Sequence, residues 1–185
     1  AKIIVADTTS KKERPPLLFS LVELQKMAAR MGYSPDEVLA AAQSLSEKHK
    51  LTSYPRTDCQ YAPESEHAKA PSVLKSIIGN FTGAWTVPGG WDAKRKSDSW
   101  DDKKLAEHFA IIPLASSCPV TSLTKIECDV YKLVCRQYIA QFFPYYEYMA
   151  TTLIAQVVDE TFKATGRIPT VEGWRALFGG MEAAK

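Results

Sequence analysis

The chain has no long apolar run: charged residues interrupt its hydrophobic stretches well before the ~20 residues that a membrane-spanning helix needs. A secretory signal is not seen either, because Ile3–Ala6 is too short for an apolar signal core and Asp7 follows it at once. The formal net charge of +2 is small and decides nothing about a nucleic-acid partner. We therefore expect a cytoplasmic protein with no membrane partner.

Metal-binding patterns are also missing. The four cysteines include no C-x-x-C pair, and the three histidines, His49, His67 and His108, lie far apart in the sequence. A structural zinc site uses Cys and His ligands in closely spaced pairs. We expect the cysteines to be buried, reduced thiols, His49 and His67 to lie on the surface, and this chain to bind no metal ion.

Segments rich in β-branched residues stand near the two ends of the chain, and helical patterns fill its middle. Ile3–Thr9 favours a strand, and so does Tyr148–Val158, with Gly166 predicted in the turn of a returning strand. The sequence therefore predicts an α+β fold in which a mainly helical domain is inserted into a partial antiparallel β domain. The predicted boundaries are 1–14 and 146–185 for the β domain and 15–145 for the helical domain.

The helical patterns begin with capping signals. Residues 20–32 and 34–48 each open with a serine three positions before a glutamate, and a short strand is predicted next at Leu51–Tyr54. This order is typical of a helix-turn-helix, although a plain helical hairpin fits the pattern too. Two later helices are predicted at residues 63–80 and 124–144, separated by a long mobile loop at residues 83–104 whose basic and acidic residues nearly cancel.

The run Leu51-Thr52-Ser53-Tyr54-Pro55-Arg56-Thr57-Asp58 carries the most specific chemistry. Pro55 disfavours the α region for the residue before it, so Tyr54 should be extended and should share one face with Arg56. A guanidinium beside a phenol suits phosphoryl transfer, because arginine can hold a phosphodiester while the tyrosine oxygen attacks phosphorus. A packed structural tyrosine also fits, since a phenol titrates near ~10 and is inert at neutral pH. Asp58 would repel phosphate and is predicted to orient Arg56 or to cap a turn.

A second candidate segment is Glu107–Pro113, in which His108 stands in an otherwise apolar run. A lone histidine in such a run is typical of a hydrogen-bonded core residue. It could also contact a backbone phosphate or relay a proton. The residues alone leave both interpretations open.

Four segments, in the expected order, resemble type IA DNA topoisomerases, and the topoisomerase III branch in particular. Leu51–Asp58 resembles the active-site tyrosine motif, and Glu107–Pro113 resembles the family's H-x-A-I-x-P segment. Pro15–Gln25 resembles the entry to the tyrosine domain, and Ala41–Lys50 resembles the helix that delivers the motif. The resemblance implies a winged-helix-like (CAP-like) domain inserted into a β-rich gate domain, of which the terminal strands are a part.

By the same resemblance, Tyr54 attacks single-stranded DNA to form a 5′-phosphotyrosine bond, and Arg56 positions the scissile phosphate. The implied DNA contacts are His108, Thr57, Asp58 and Lys50. The implied activity is that of an isomerase that changes DNA topology, associated with a bacterial nucleoid or plasmid. The family's Mg²⁺-binding toprim domain and its single-strand-binding domain have no counterpart in this sequence. They are the implied partners, and we expect the chain alone to be inactive.

The main alternative is a non-catalytic winged-helix module that reads a DNA groove with its second helix. Such a helix should expose Arg, Lys, Asn or Gln, whereas this one carries Ala40, Ala41, Gln43 and Ser44. A relaxase is disfavoured because the chain lacks a histidine metal cluster. A purely structural gate fragment remains a further interpretation.

Overall fold

The computed structural model describes residues 2–179, which divide into two compact units. The helical unit is Pro16–Phe143, and the sheet unit is formed by the described residues on either side of it. The sequence places the two boundaries at 14/15 and 145/146, within two residues of these. The helical unit therefore interrupts the sequence of the sheet unit, as an insertion does.

The sheet unit is a three-stranded antiparallel sheet in the order β1 (Lys2–Glu13), β2 (Tyr146–Val157) and β3 (Glu160–Val171). The chain turns between β2 and β3 at Val158, which has a φ of 55°. The predicted turn at Gly166 is wrong, because Gly166 lies within β3 opposite Thr151. A two-residue hairpin turn favours Gly or Asn at positive φ, so a valine at position 158 does not predict a turn there.

The helical unit contains α1 (Leu21–Ala29), α2 (Pro35–Glu47), α3 (Glu64–His67), α4 (Ala70–Asn80) and α5 (Lys125–Ala140). Complete capping boxes start α2 and α5, as the sequence predicts. The single helix predicted at residues 63–80 is instead two helices. Pro71 has no N–H to donate back towards the carbonyl of His67, so one continuous helix would lack this bond.

An aromatic cluster in the helical unit fixes part of the predicted loop. Trp100 is 3% exposed and meets the rings of Tyr138 and Phe142 at 5.8 and 5.9 Å. His67 is in this cluster too, 5.2 Å from the Trp100 ring, and its Nε2 is 2.9 Å from the Arg95 carbonyl. His67 is therefore half-buried rather than a free surface residue. The segment predicted as a loop at residues 83–104 is largely irregular, as expected, but it packs into the helical unit at Trp100, and its mobility stays a prediction.

A buried carboxylate joins α2 to α5. Glu127 is 7% exposed, and its Oε1 accepts a 2.6 Å hydrogen bond from the Ser44 hydroxyl. His49 Nε2 lies 3.5 Å from the same oxygen with its side chain only 12% exposed, so the prediction of a surface His49 is also wrong. All four cysteines are free thiols as expected, but only Cys59 and Cys135 are buried.

The Glu127 carboxylate makes the stability of the helical unit depend on pH. Hydrogen bonds from Ser44 and Thr124 outweigh the cost of burial and lower the pKa of Glu127 from 4.5 to about 2. Because the pKa is lowered by folding, the ionised group stabilises the folded state above about pH 4.5, and this contribution is lost as the pH falls towards 2.

We expect Glu127→Gln to lower the free energy of unfolding by about 1–2 kcal/mol at pH 7 and by much less at pH 3. Urea denaturation followed by far-UV circular dichroism measures the difference. Glu47→Gln, which removes an exposed carboxylate from α2, is the control. A difference between wild type and Glu127→Gln that stays constant between pH 7 and 3 would contradict this account.

Candidate active site

The tyrosine segment, residues 51–58, pairs in antiparallel fashion with the histidine segment, residues 107–114. The Ser53 N–H donates to the Ile112 carbonyl at 2.9 Å, and the Leu114 N–H donates to the Leu51 carbonyl at 2.8 Å. Only an isolated bridge forms, between Thr52 and Pro113, so the strand predicted at residues 51–54 is not a regular one. The pairing still fixes which residues of the two segments lie beside each other.

Two buried hydroxyl groups fasten the segments further. The Ser53 hydroxyl donates to the Ala110 carbonyl and accepts from the Ile112 N–H, both at 2.9 Å. The Thr57 hydroxyl donates to the His108 carbonyl at 2.9 Å. Ser53 is 7% exposed and Thr57 is 6% exposed, so neither hydroxyl has free access to solvent.

Exposure alternates along the tyrosine segment. Residues 54, 56 and 58 are exposed, whereas residues 55, 57 and 59 are buried. A tight turn around Arg56, closed by a hydrogen bond from the Thr57 N–H to the Pro55 carbonyl at 3.1 Å, accompanies this pattern. The side chains of Tyr54 and Arg56 are thus presented to solvent together, while their neighbours anchor the backbone.

The rings of Tyr54 and His108 are in direct contact. Their centroids lie 4.6 Å apart with an interplanar angle of 48°, and Tyr54 remains 44% exposed. His108 is exposed, so the interpretation of this residue as a core histidine is wrong. The contact restrains the phenol ring while leaving the Tyr54 hydroxyl accessible, and it places an imidazole beside it.

Arg56 is oriented by α2. When the Gln43 amide is turned so that its oxygen faces the guanidinium, Oε1 accepts from Arg56 Nη2 at 2.9 Å and from Nε at 3.1 Å. Among residues 2–179, the exposed Asp58 carboxylate makes no ion pair with Arg56. The prediction that Asp58 orients Arg56 therefore has no support in the geometry, and Gln43, which sequence reasoning missed, holds that position.

Lys50 stands at the start of the tyrosine segment. It follows α2, is exposed and has a φ of 54°, a left-handed conformation that places a bend directly before Leu51. This bend lets the chain leave the helix and enter the pairing with the histidine segment. The Lys50 ammonium is thereby on the surface near the beginning of the segment that carries Tyr54.

Within residues 2–179 the structure contains no group of three or more His, Cys, Asp or Glu side chains placed to hold a metal ion. In the same residues no helix has both the length and the apolar character to cross a membrane.

We expect Ser53→Ala to destabilise the helical unit by about 1–3 kcal/mol, because it leaves the Ala110 carbonyl and the Ile112 N–H buried without their partner. Urea denaturation followed by circular dichroism checks this. The control is Ser65→Ala, an exposed serine on α3, for which a change within about 0.5 kcal/mol is expected. Equal unfolding free energies for the two variants would show that the Ser53 hydroxyl does not stabilise the pairing of the two segments.

Comparison with known proteins gives a consistent result. The profile of the DNA topoisomerase family matches residues 1–185. DNA topoisomerase 3 of Vibrio cholerae is 38% identical over 180 residues, which cover 97% of this chain and 28% of that protein. DNA topoisomerase 3 of Haemophilus influenzae is 39% identical over 170 residues, which cover 91% of this chain and 26% of that protein.

A solved structure shares the fold. Full-length topoisomerase I from Thermotoga maritima superposes with a TM-score of 0.69 at 19% identity, over 96% of this chain and 29% of that one. This likeness supports the α+β architecture. The chain spans little more than a quarter of the relatives that it matches. It belongs to the type IA DNA topoisomerase family and resembles the topoisomerase III members of that family.

Proposed function

We propose that this chain supplies the tyrosine half of a site that cleaves and reseals single-stranded DNA and so changes DNA topology. One observation carries the proposal: an exposed tyrosine and an exposed histidine are in ring contact across two segments that are distant in sequence, and an exposed arginine lies two residues after the tyrosine. Buried hydrogen bonds from Ser53 and Thr57 hold those segments together. Exposed groups in this arrangement are not required for folding. Phosphoryl transfer, in contrast, requires a nucleophile placed close to groups that stabilise negative charge.

The proposed reaction is a reversible exchange of phosphodiester bonds. The Tyr54 oxygen attacks phosphorus and loses its proton, and the bond from phosphorus to the 3′ oxygen breaks. The 3′ oxygen takes up a proton, and the 5′ phosphate remains on tyrosine. Attack by the 3′ hydroxyl on the phosphotyrosine reseals the strand, so no energy source is consumed.

The neighbouring residues have separate roles in this proposal. Arg56 holds the non-bridging oxygens of the scissile phosphate and stabilises the charge that develops on them. His108 restrains the Tyr54 ring and contacts the DNA backbone close by. Lys50 attracts the backbone electrostatically. Thr57 acts through its bond to the His108 carbonyl, and Asp58 lies at the exposed edge, where its carboxylate can accept a hydrogen bond from a base.

The other parts of the reaction are assigned to domains outside this chain. The relatives are more than three times as long, and the described residues gather no metal-binding cluster. We therefore place the Mg²⁺-binding toprim domain and the single-strand-binding domain elsewhere in the full-length protein. The sheet unit then belongs to the gate domain and the helical unit is its winged-helix-like insertion. The chain alone is expected not to relax supercoiled DNA.

The arrangement of α2 disfavours the groove-reading alternative. The exposed positions of this helix include Asp36, Glu37 and Glu47, which repel the phosphates that line a groove. Gln43, the residue best suited to read a base, is engaged with Arg56. A module that binds duplex DNA through α2 would present the opposite charge.

The nucleophile is tested in the full-length protein, or in a chimera in which this chain replaces the matching segment of the Vibrio cholerae relative. We expect wild type to form a covalent complex with a labelled single-stranded oligonucleotide and Tyr54→Phe to form none. Tyr61→Phe, which removes a phenol hydroxyl elsewhere in the helical unit, should behave as wild type. An adduct that persists in Tyr54→Phe would assign the nucleophile to another residue.

For Arg56→Ala we expect the single-turnover cleavage rate to fall by about 10²-fold or more, because a clamp on the developing charge is lost. Arg30→Ala removes an exposed guanidinium from the end of α1 and should leave the rate nearly unchanged. A cleavage rate in Arg56→Ala equal to that of Arg30→Ala would show that Arg56 does not touch the reacting phosphate.

A further inference from the structure

We propose that Gln43 is a positioning residue that holds one edge of the Arg56 guanidinium so that its other edge faces the scissile phosphate. This proposal rests on the proposed function, since it needs Arg56 to act on DNA. It adds a residue that neither the tyrosine segment nor the histidine segment contains. Gln43 lies on α2, and in the amide orientation that turns its oxygen towards the guanidinium, this oxygen accepts from Nη2 at 2.9 Å and from Nε at 3.1 Å.

The pair of contacts determines which donors remain for DNA. Nε and one hydrogen of Nη2 point at the amide oxygen, so Nη1 and the other hydrogen of Nη2 point away from it. These outward donors form the end of the fork, the edge that can bind two non-bridging oxygens of one phosphate. An unrestrained arginine would have to lose its rotamer freedom at the moment of reaction, at a cost in rate.

The platform that carries Gln43 is rigid. The flanking residues Ala41, Ala42 and Leu45 are 4%, 1% and 0% exposed, and α2 starts with a complete capping box. On the other side, Arg56 follows the buried Pro55 and lies within the tight turn closed by Thr57. Both ends of the contact are therefore fixed before any substrate arrives.

A neutral amide suits this role better than a carboxylate does. Glutamate at position 43 could make the same bonds to Nε and Nη2, but its charge would cancel that of the guanidinium. Within residues 2–179, no carboxylate forms an ion pair with Arg56. The Gln43 contact fixes the direction of the cation and leaves its full charge for the phosphate.

The contact itself can be tested in the 185-residue chain without DNA. With ¹⁵N-labelled arginine, we expect the Nε–H of Arg56 to exchange slowly with solvent in wild type and in Gln43→Glu. In Gln43→Ala it should exchange at least ~10-fold faster. The control is Gln25→Ala, which removes an α1 amide bonded to the Pro35 carbonyl rather than to an arginine. Equal Arg56 exchange in wild type and Gln43→Ala would overturn the contact.

The role in the reaction is tested in the full-length protein or the chimera. We expect Gln43→Ala to slow single-turnover cleavage by about 10-fold while changing the Kd for single-stranded DNA less than about 2-fold. Gln43→Glu should also slow cleavage and should reduce the slope of log Kd against log salt by about 0.7, because one phosphate contact is neutralised. Gln25→Ala should match wild type in both measurements.

The deciding comparison is the same substitution in an Arg56→Ala background. If Gln43 acts through Arg56, Gln43→Ala causes no further loss of rate there. An equal loss in both backgrounds would make Gln43 a general structural residue and overturn the proposal, although the proposed function would stand. If wild type forms no Tyr54-dependent adduct, both the proposed function and the catalytic role of Gln43 are wrong. Slow exchange of the Arg56 Nε–H would then show only that the contact exists.

Discussion

The pairing of the tyrosine segment with the histidine segment is the constraint on which the site depends. Neither segment is a regular strand, so backbone hydrogen bonding alone does not secure it. The buried Ser53 hydroxyl bridges two backbone groups of the other segment, and Thr57 adds a third bond further along. Because side chains alternate between faces, a slip of one residue would turn Tyr54 inward and separate it from His108.

The sequence predicts the helices well where their signals are local. The serine and threonine caps of α2 and α5 and their glutamate partners lie within one turn, so a short window contains all the information. Interactions between distant residues have no such signature. Glu127 is visible as a capping residue, but its burial against Ser44 and His49 depends on how α2 and α5 pack.

The candidate site shows the same contrast between residues with a local sequence signal and residues without one. Tyr54, Arg56 and His108 stand in short motifs, so they can be named from the sequence, and the structure brings the rings of Tyr54 and His108 into contact across the two segments. The residues that hold them in place are not found, because Gln43 and Ser53 act on partners outside their own segments. Asp58 is predicted to orient Arg56 or to cap a turn because it lies two residues away, whereas the contact with Arg56 comes from Gln43 on the preceding helix, α2.

The alternation of exposed and buried side chains between Tyr54 and Cys59 has a consequence for mutagenesis. Residues 54, 56 and 58 are open to solvent, so a substitution there acts first on what approaches the protein. Residues 55, 57 and 59 are buried, so a substitution there acts first on folding. Stability and surface chemistry are thus encoded at interleaved positions of the same short peptide.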